Sequence, residues 1–199
     1  MIFKKNGKSY TVCTVGAPVL REIAAPVAVI DESVRQLARE MIGAMHYFNG
    51  IGLAAPQYGV SKRVVVLDVP ADSMGEVPTP GEEQLLPRMP LVLINPEIVS
   101  RSNNTTVRDE GCLSVPDIYA PVERPEKVVL RSQTLDGDMI EVECGGLLGR
   151  CIQHELDHLE GKCFTDRLSP EAAREVAGEI KRLIRYGEKK SFMRTKSVK

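Results

Sequence analysis

The first regular feature along the chain is an amphipathic pattern with helical spacing. Apolar residues recur at positions 34, 37, 41, 45 and 48. Asp31, just before this run, is a residue type favoured at helix N-caps, and the Asn49-Gly50 pair after it is a typical helix stop. The pattern therefore predicts an amphipathic helix over residues 32 to 48.

Two further helices are predicted in the C-terminal third of the chain. Apolar residues with helical spacing occupy positions 147, 148, 151, 152, 156 and 159, and Gly161 suits a helix C-terminus, so we predict a helix over residues 147 to 160. Ser169 and Pro170 are typical of a helix start, and positions 176, 180, 183 and 184 form one apolar face. A third helix should therefore begin at residue 170.

Short runs rich in β-branched residues indicate strands at positions 63 to 69, 91 to 94, 127 to 133 and 139 to 144. The last two are separated by a turn at residues 135 to 138, which predicts a hairpin. Between residues 70 and 90 the chain contains five prolines and two glycines among acidic residues. That composition predicts a surface loop within one domain.

The length of 199 residues, with 43% hydrophobic and 27% charged residues, suits one domain with a sizeable core. An uninterrupted apolar run of about 18 residues, which a membrane-spanning helix requires, does not occur. The N-terminal residues do not resemble a signal peptide, so we expect a cytoplasmic protein with five reduced cysteines. The net charge of −1 conceals an asymmetry, because residues 181 to 199 carry eight basic residues and one acidic residue.

The segment His154-Glu155-Leu156-Asp157-His158 is an HExxH motif inside the second predicted helix. A spacing of four places both imidazoles on one helix face, one turn apart, where they can bind one metal ion. Glu155 lies beside them and can accept a proton from water that the ion activates. The alternative is a pair of surface histidines without a metal, and the motif makes that the weaker interpretation.

A catalytic metal of this kind normally has a third protein ligand. Metzincin proteases use a third histidine in HExxHxxGxxH, but Phe164 occupies that position here. A thermolysin-like protease would use a downstream glutamate, for which Glu175 and Glu179 are candidates, although both lie off the apolar face of the third helix. His46 is the one remaining histidine and has many other possible uses.

Cysteine is the other strong candidate, because a thiolate is a good metal ligand. Cys151 fits the apolar pattern of its helix, and Cys163 lies near it. Cys112 differs, because it lies in a compact non-helical segment between predicted strands and follows a glycine. Combined with HExxH, this segment suggests a Cys-His-His site.

Residues 50 to 57 read GIGLAAPQ and contain the GxGxxA spacing of dinucleotide-binding loops. Such a loop requires a strand before it and a helix after it, whereas here a helix precedes it and Pro56 follows. We therefore interpret it as an extended segment whose glycines let a substrate peptide come close. Gln57 is then available as an amide donor.

Three segments of the chain resemble the motifs of the peptide deformylase family, in the same order. GIGLAAPQ at residues 50 to 57, EGCLS at 110 to 114 and QHELDH at 153 to 158 match the family's motifs, and the resemblance extends over about residues 10 to 170. Two departures are a longer proline-rich stretch at 70 to 90 and Cys163, where an aliphatic residue is more usual.

The resemblance implies an α+β fold in which antiparallel β-strands pack around a central HExxH helix, with an N-terminal and a C-terminal helix. It implies one catalytic domain over residues 1 to 187 and a basic tail over 188 to 199. In bacterial relatives a C-terminal extension docks on the ribosome, so we expect ribosomal RNA as a possible partner of the tail, with a solvated basic tail as the alternative. Neither a membrane nor sequence-specific nucleic acid is expected as a partner.

The implied activity is removal of the formyl group from the N-terminal formyl-methionine of nascent polypeptides, with release of formate. Metal ligation is implied for Cys112, His154 and His158, with Fe(II) as the physiological ion and Zn(II), Ni(II) or Co(II) in purified protein. Glu155 would transfer the proton, the Gln57 amide and the Leu113 backbone N–H would stabilise the oxyanion, and Gly52 would pair with the substrate backbone. Candidate walls of the methionine pocket are Ile51, Leu147 and Cys151.

Three alternatives remain at this point. The first is a zinc metallo-endopeptidase of another HExxH class. The second is a binding protein whose metal is structural, which would need four protein ligands. The third is a hydrolase with Cys112 as its nucleophile, which would leave HExxH without a purpose.

Overall fold

The computed structural model describes residues 10–189 and 193–195. Its four helices are α1 (Glu32–Tyr47), α2 (Pro80–Leu85), α3 (Gly146–Leu159) and α4 (Pro170–Lys189). Its nine strands are β1 (Thr11–Cys13), β2 (Gly52–Ala54), β3 (Val64–Leu67), β4 (Leu91–Arg101), β5 (Thr105–Cys112), β6 (Val115–Pro125), β7 (Val128–Gln133), β8 (Met139–Cys144) and β9 (Met193–Thr195). All paired strands named here run antiparallel.

The three predicted helices are confirmed. In α1 the Asp31 carboxylate accepts a hydrogen bond of 3.1 Å from the Val34 backbone N–H, as expected for an N-cap. The buried side of α1 includes Val34, Met41 and Met45, three of the positions in the apolar pattern. Local periodicity and capping therefore define this element.

The main sheet has five strands in the order β2-β3-β4-β7-β8. Predicted strands at residues 63 to 69 and 91 to 94 correspond to β3 and β4, and the predicted hairpin corresponds to β7 and β8. β4 is longer than predicted, since it continues through Arg101 with register shifts against β7. The extended segment predicted after Gly50 forms β2, which pairs with β3 at the edge of the sheet.

A second sheet consists of the β5–β6 hairpin, which the hydrophobic pattern did not reveal. Its strands pair from Thr105 opposite Pro125 to Gly111 opposite Tyr119. Cys112 therefore lies at the very end of β5, and not in a segment between strands. The buried residues of β6 alternate along the strand, with Ile118, Ala120 and Val122 facing the core.

The stretch from 70 to 90 is not a plain surface loop. It contains α2, where the Thr79 hydroxyl and backbone N–H each donate a 2.8 Å hydrogen bond to the buried carboxylate of Glu82. Thr79 also accepts a hydrogen bond of 3.0 Å from the Gly145 backbone N–H at the start of α3. Gly146 has a φ of 56°, and a Cβ there would lie 2.5 Å from Glu82 Oε1, so only glycine fits this approach.

A third, two-stranded sheet joins two segments that are far apart in sequence, because β1 pairs with β9. β9 lies within the range predicted as a basic tail, and α4 also continues two residues past the predicted domain boundary at 187. The boundary itself stays a prediction.

α3 contacts β2, β3 and β4, and all its residues from Leu148 to Leu159 are buried. Leu148, Ile152 and Leu156 join the core that lies on this side of the main sheet. The prediction of an α+β protein with antiparallel sheets and helices is confirmed. Among the described residues, no helix has the length and apolar character needed to cross a membrane.

Candidate metal centre and active site

The ligand candidates converge from two elements. Cys112 comes from the end of β5, and His154 and His158 come from successive turns of α3. One ligand atom from each residue lies within 4.8 Å of the other two, and Cys112 Sγ is 3.3 Å from His158 Nε2. A soft thiolate with two imidazoles is a donor set suited to Fe(II), Zn(II) and related ions.

The second nitrogen of His154 is already engaged. Its Nδ1 lies 2.9 Å from Glu110 Oε2, and the carboxylate can only accept, so Nδ1 carries the proton. That arrangement leaves Nε2 as the ligating atom, as is usual for metal-bound histidines. The Nδ1 atom of His158 is buried and has no hydrogen-bond partner. The residues present therefore fit a divalent ion held by three protein ligands.

A buried ionic network, which sequence reasoning missed, surrounds Glu110. The Arg124 guanidinium donates to both Glu110 oxygens at 2.7 and 2.9 Å and to Asp157 at 2.7 Å. Arg150 donates to Glu110 at 2.9 Å, and Arg167 donates to Asp157 at 2.6 Å. The one sequence signal for this network is the occurrence of charged residues such as Arg150 and Asp157 within the apolar pattern of a predicted helix.

The charge distribution of the cluster favours a thiolate. Burial by itself would raise the pKa of Cys112, but the charge and hydrogen bonds of His158 and His154 hold that pKa well below its ordinary value. Burial lowers the pKa of His154, whereas hydrogen bonds to Cys112 and Glu110 outweigh it and raise the pKa to about 10. A divalent ion binds the deprotonated forms of these three side chains, so it would compete with protons for them.

Glu155 lies beside the ligands with a free carboxylate oxygen. The side chain is buried, and Oε2 has no hydrogen-bond partner. Burial raises the pKa of Glu155 to about 7, against the opposing charges of His154 and His158. Near neutral pH this carboxylate can both accept and release a proton.

Gln57 reaches the same site from the 3-10 helix Ala55–Tyr58 that follows β2. Its Oε1 accepts a 2.7 Å hydrogen bond from the Ala54 backbone N–H, which turns the amide nitrogen towards the cluster. Gln57 Nε2 lies 3.4 Å from both Cys112 Sγ and Ser114 Oγ. Leu113 is in the turn between β5 and β6, immediately after Cys112.

These groups line a cavity of about 520 Å³. The predicted pocket residues Ile51, Leu147 and Cys151 all border it, as do Gly52, Gln57, Leu113 and Glu155. Tyr119, which is 70% exposed, stands at its edge and was not predicted. The structure thus brings every site residue that the family resemblance implied to the cavity wall except His158, which is fully buried beside Cys112.

The other ligand candidates lie elsewhere. His46 Nε2 is 2.6 Å from Asp68, outside the cluster. Glu179 is on α4, where Arg182 lies 3.9 Å away. Cys163 is buried and is the N-cap of the short 3-10 helix Phe164–Asp166. The Asp166 carboxylate accepts a hydrogen bond from the backbone N–H of Cys163. None of these belongs to the group of metal-ligand candidates found among the described residues.

Comparisons with known proteins agree with this geometry. The family model described as polypeptide deformylase matches residues 9–174. The peptide deformylase of Alkalilimnicola ehrlichii is 44% identical over 170 residues, which cover 85% of this chain and 88% of that protein. Peptide deformylase 2 of Gloeobacter violaceus is 46% identical over 160 residues, covering 80% of this chain and 79% of that protein.

Two solved structures show the same fold. The peptide deformylase of Thermotoga maritima superposes with a TM-score of 0.70 at 38% identity and covers 82% of this chain and 99% of that one. Peptide deformylase 1B of Arabidopsis thaliana, in complex with an inhibitor, superposes with a TM-score of 0.77 at 34% identity. That match covers 89% of this chain and 92% of the Arabidopsis chain. Motifs, fold and site geometry agree, and this chain belongs to the polypeptide deformylase family.

Proposed function

We propose that this protein hydrolyses the N-terminal formyl amide of nascent polypeptides that begin with formyl-methionine. The products are formate and a free N-terminal amine. The observation that carries the proposal is the cluster of Cys112, His154 and His158 beside a cavity that Glu155, with its unpartnered Oε2 atom, also lines. Family membership supports the same activity.

Cys112, His154 and His158 would hold one divalent ion, with Fe(II) proposed as the physiological ion and Zn(II), Ni(II) or Co(II) as substitutes. When bound, such an ion acts as a Lewis acid and lowers the pKa of water near it. α3 serves as the central scaffold, because it carries both histidines and Glu155 and is buried from Leu148 to Leu159.

Glu155 carries the proton in this mechanism. Its carboxylate accepts a proton from the water that attacks the formyl carbon, and it then delivers that proton to the departing amine nitrogen. The C–N bond breaks, formate leaves, and the carboxylate is regenerated. Burial, which raises the pKa of Glu155 above that of an ordinary glutamate, favours both transfers near neutral pH.

Gln57 and Leu113 stabilise the charge that develops on the formyl oxygen. An N–H of the Gln57 amide and the backbone N–H of Leu113 would both donate to that oxygen. Gly52 would pair with the substrate backbone, and Ile51, Leu147 and Cys151 would enclose the methionine side chain. All of these residues border the same cavity.

An assay with formyl-Met peptides and matched unformylated peptides separates this function from a metallo-endopeptidase. We expect formate release from the first and no internal cleavage of either. Internal cleavage of the unformylated peptide would refute the proposal and favour the endopeptidase.

Glu155→Gln tests the assigned role, because it preserves shape while removing the proton carrier. Turnover should fall by about 10²–10⁴, the scale of general acid–base catalysis. Metal content and peptide binding should be unchanged. A metal-loaded Glu155→Gln protein with near wild-type turnover would contradict the mechanism.

We further propose that the basic C-terminal segment docks the protein on the ribosome in the cytoplasm, near emerging nascent chains. Residues 181 to 199 carry a net charge of +7, which suits phosphate contacts. Deletion of residues 188 to 199 should weaken ribosome cosedimentation, and binding of the intact protein should fall steeply with salt. Because β9 pairs with β1, thermal unfolding of the deleted protein is the necessary control. Unchanged cosedimentation of a folded, deleted protein would reject the docking.

A further inference from the structure

The carboxylate that holds His154 is itself held from the same helix. We propose that Arg150 is a positioning residue for the metal centre: it fixes Glu110, and through Glu110 it sets the orientation of the His154 ring. This inference rests on the proposed metal site.

Arg150 precedes His154 by one turn of α3. Its Nη1 donates to Glu110 Oε1 at 2.9 Å and to the Val122 carbonyl oxygen at 3.0 Å. Its Nη2 donates to the Thr106 carbonyl oxygen at 2.9 Å and to the Thr106 hydroxyl at 3.0 Å. A single guanidinium therefore contacts the backbone of β5 and of β6 and the Glu110 carboxylate, which belongs to β5.

Glu110 has no freedom left in this arrangement. Oε1 accepts from Arg150 and from Arg124 Nε, and Oε2 accepts from Arg124 Nη2 and from His154 Nδ1. Four donors fill the acceptor directions of a carboxylate. With the carboxylate plane fixed, the direction of the Nδ1–H bond is fixed, and so is the ring that carries the ligating Nε2 atom.

Arg150 also joins α3 to the backbone of the hairpin, alongside the side-chain link that Arg124 makes from β6 to Asp157 on α3. Two ligands are on α3, but Cys112 is at the end of β5, so the geometry of the site depends on the spacing between helix and hairpin. Arg150 lies on α3 and binds backbone oxygens of both hairpin strands. It therefore helps to fix the distance across which Cys112 meets the histidines, and its planar guanidinium with several donors suits contacts to two strands at once.

Arg150→Gln removes the charge and most of the N–H donors. Arg150→Lys retains the charge but lacks the planar guanidinium that donates in several directions. The probe is Co(II), whose affinity is measured by competition with a chelator and whose coordination is read from its visible absorption spectrum. Loss of a partner that orients a ligand typically lowers metal affinity about 10–100-fold. We expect a loss of this size with an altered spectrum for Arg150→Gln, and an intermediate loss for Arg150→Lys.

Arg131→Gln is the matched control, because Arg131 also bridges two carboxylates, Glu97 and Glu141, but on the exposed face of β7. It should leave Co(II) affinity and spectrum unchanged. If Arg150→Gln does not fold, Arg150→Lys decides the question by the same two readouts.

Wild-type affinity and spectrum in the folded Arg150 variants would overturn the proposal. An equal loss in Arg131→Gln would overturn it too, because the effect would then be general destabilisation. The outcome is independent of substrate chemistry. A protein that binds Co(II) tightly yet releases no formate would refute the proposed function and not the role of Arg150.

Discussion

Gly52 lies in β2 directly against the catalytic side of α3. A Cβ at this position would be 2.5 Å from Glu155 Oε1 and 2.8 Å from Cys151 Sγ. Both atoms are the ends of side chains that can move, so the backbone need not shift. Gly52→Ala should therefore displace the Glu155 carboxylate while leaving the fold in place.

The size of the effect follows from these distances. Ordinary contact with a Cβ begins at 3.4 Å, so the Glu155 oxygen must retreat by about 0.9 Å. A misplacement of about 1 Å in an active site can reduce the rate about 10²-fold, which corresponds to about 2.7 kcal/mol in the barrier. Overpacking should lower the free energy of unfolding by about 1 kcal/mol, which is a shift of about 2–4 °C in Tm.

The assay is formate release from a formyl-Met peptide, with metal content and thermal unfolding measured on the same samples. Gly75→Ala is the matched control, because a Cβ at Gly75 meets nothing within 4 Å. The double variant with Glu155→Gln gives a further test. If Gly52 acts by making room for the Glu155 carboxylate, the rate of the double variant should be higher than the product of the two single-variant rate losses predicts.

A near wild-type rate in metal-loaded Gly52→Ala would refute this reasoning. Losses that multiply in the double variant would instead assign the effect to the substrate backbone pairing that we propose for Gly52.

Two further predictions concern the metal site and acid stability. Cys112→Ser replaces a thiolate by a hydroxyl that is protonated at neutral pH, so the protein should lose both its metal, measured by equilibrium dialysis, and its activity. The control Cys144→Ser lies outside the cluster and should retain its metal. Full metal affinity in Cys112→Ser would exclude the thiolate as a ligand. Hydrogen bonds from Ser33 and the Val34 backbone lower the pKa of Asp31, so its stabilising charge is complete above the ordinary aspartate pKa and is lost as pH falls through the lowered value. Asp31→Asn retains a capping side chain and should flatten that acid-side loss in pH-dependent unfolding, and an unchanged profile would exclude the charge as its source.

The helices could be predicted from the sequence because the relevant interactions are local. A helix repeats every 3.6 residues, and its caps lie within one turn, so the α1 pattern with Asp31 and the α3 pattern up to Gly161 contain their own boundaries. The HExxH motif gave two candidate ligands for the same reason, since a spacing of four is a fixed geometric relation within a helix.

The β5–β6 hairpin could not be predicted in this way. β6 carries Pro116, Pro121 and Pro125, which argue against a strand, and Arg124 occupies a buried position that a hydrophobic pattern would leave to an apolar residue. A two-stranded sheet tolerates prolines because each strand has a free edge. Arg124 is stable there because Glu110 and Asp157 neutralise it, and both are distant in sequence.

The segment from 70 to 90 was misjudged for a related reason. Its proline and acidic content is typical of a loop, and its packing against the start of α3 is visible only in tertiary contacts, such as those of Thr79 with Gly145 and of Glu82 with Gly146. Glu82 is buried because α3 and Thr79, the N-cap of α2, lie close to it. The contact with α3 cannot be predicted from the local sequence pattern.

The sequence by itself determined the helices, most of the main sheet and two histidines with a neighbouring carboxylate, because those features depend on spacing within a few residues. It left several third ligands open, and the choice of Cys112 rested on the resemblance to a known family. Only the tertiary structure placed Cys112 against His158 and enclosed Glu110 between Arg124 and Arg150. Those contacts join residues 14 to 46 positions apart, and they exist only once strand register and helix packing are set.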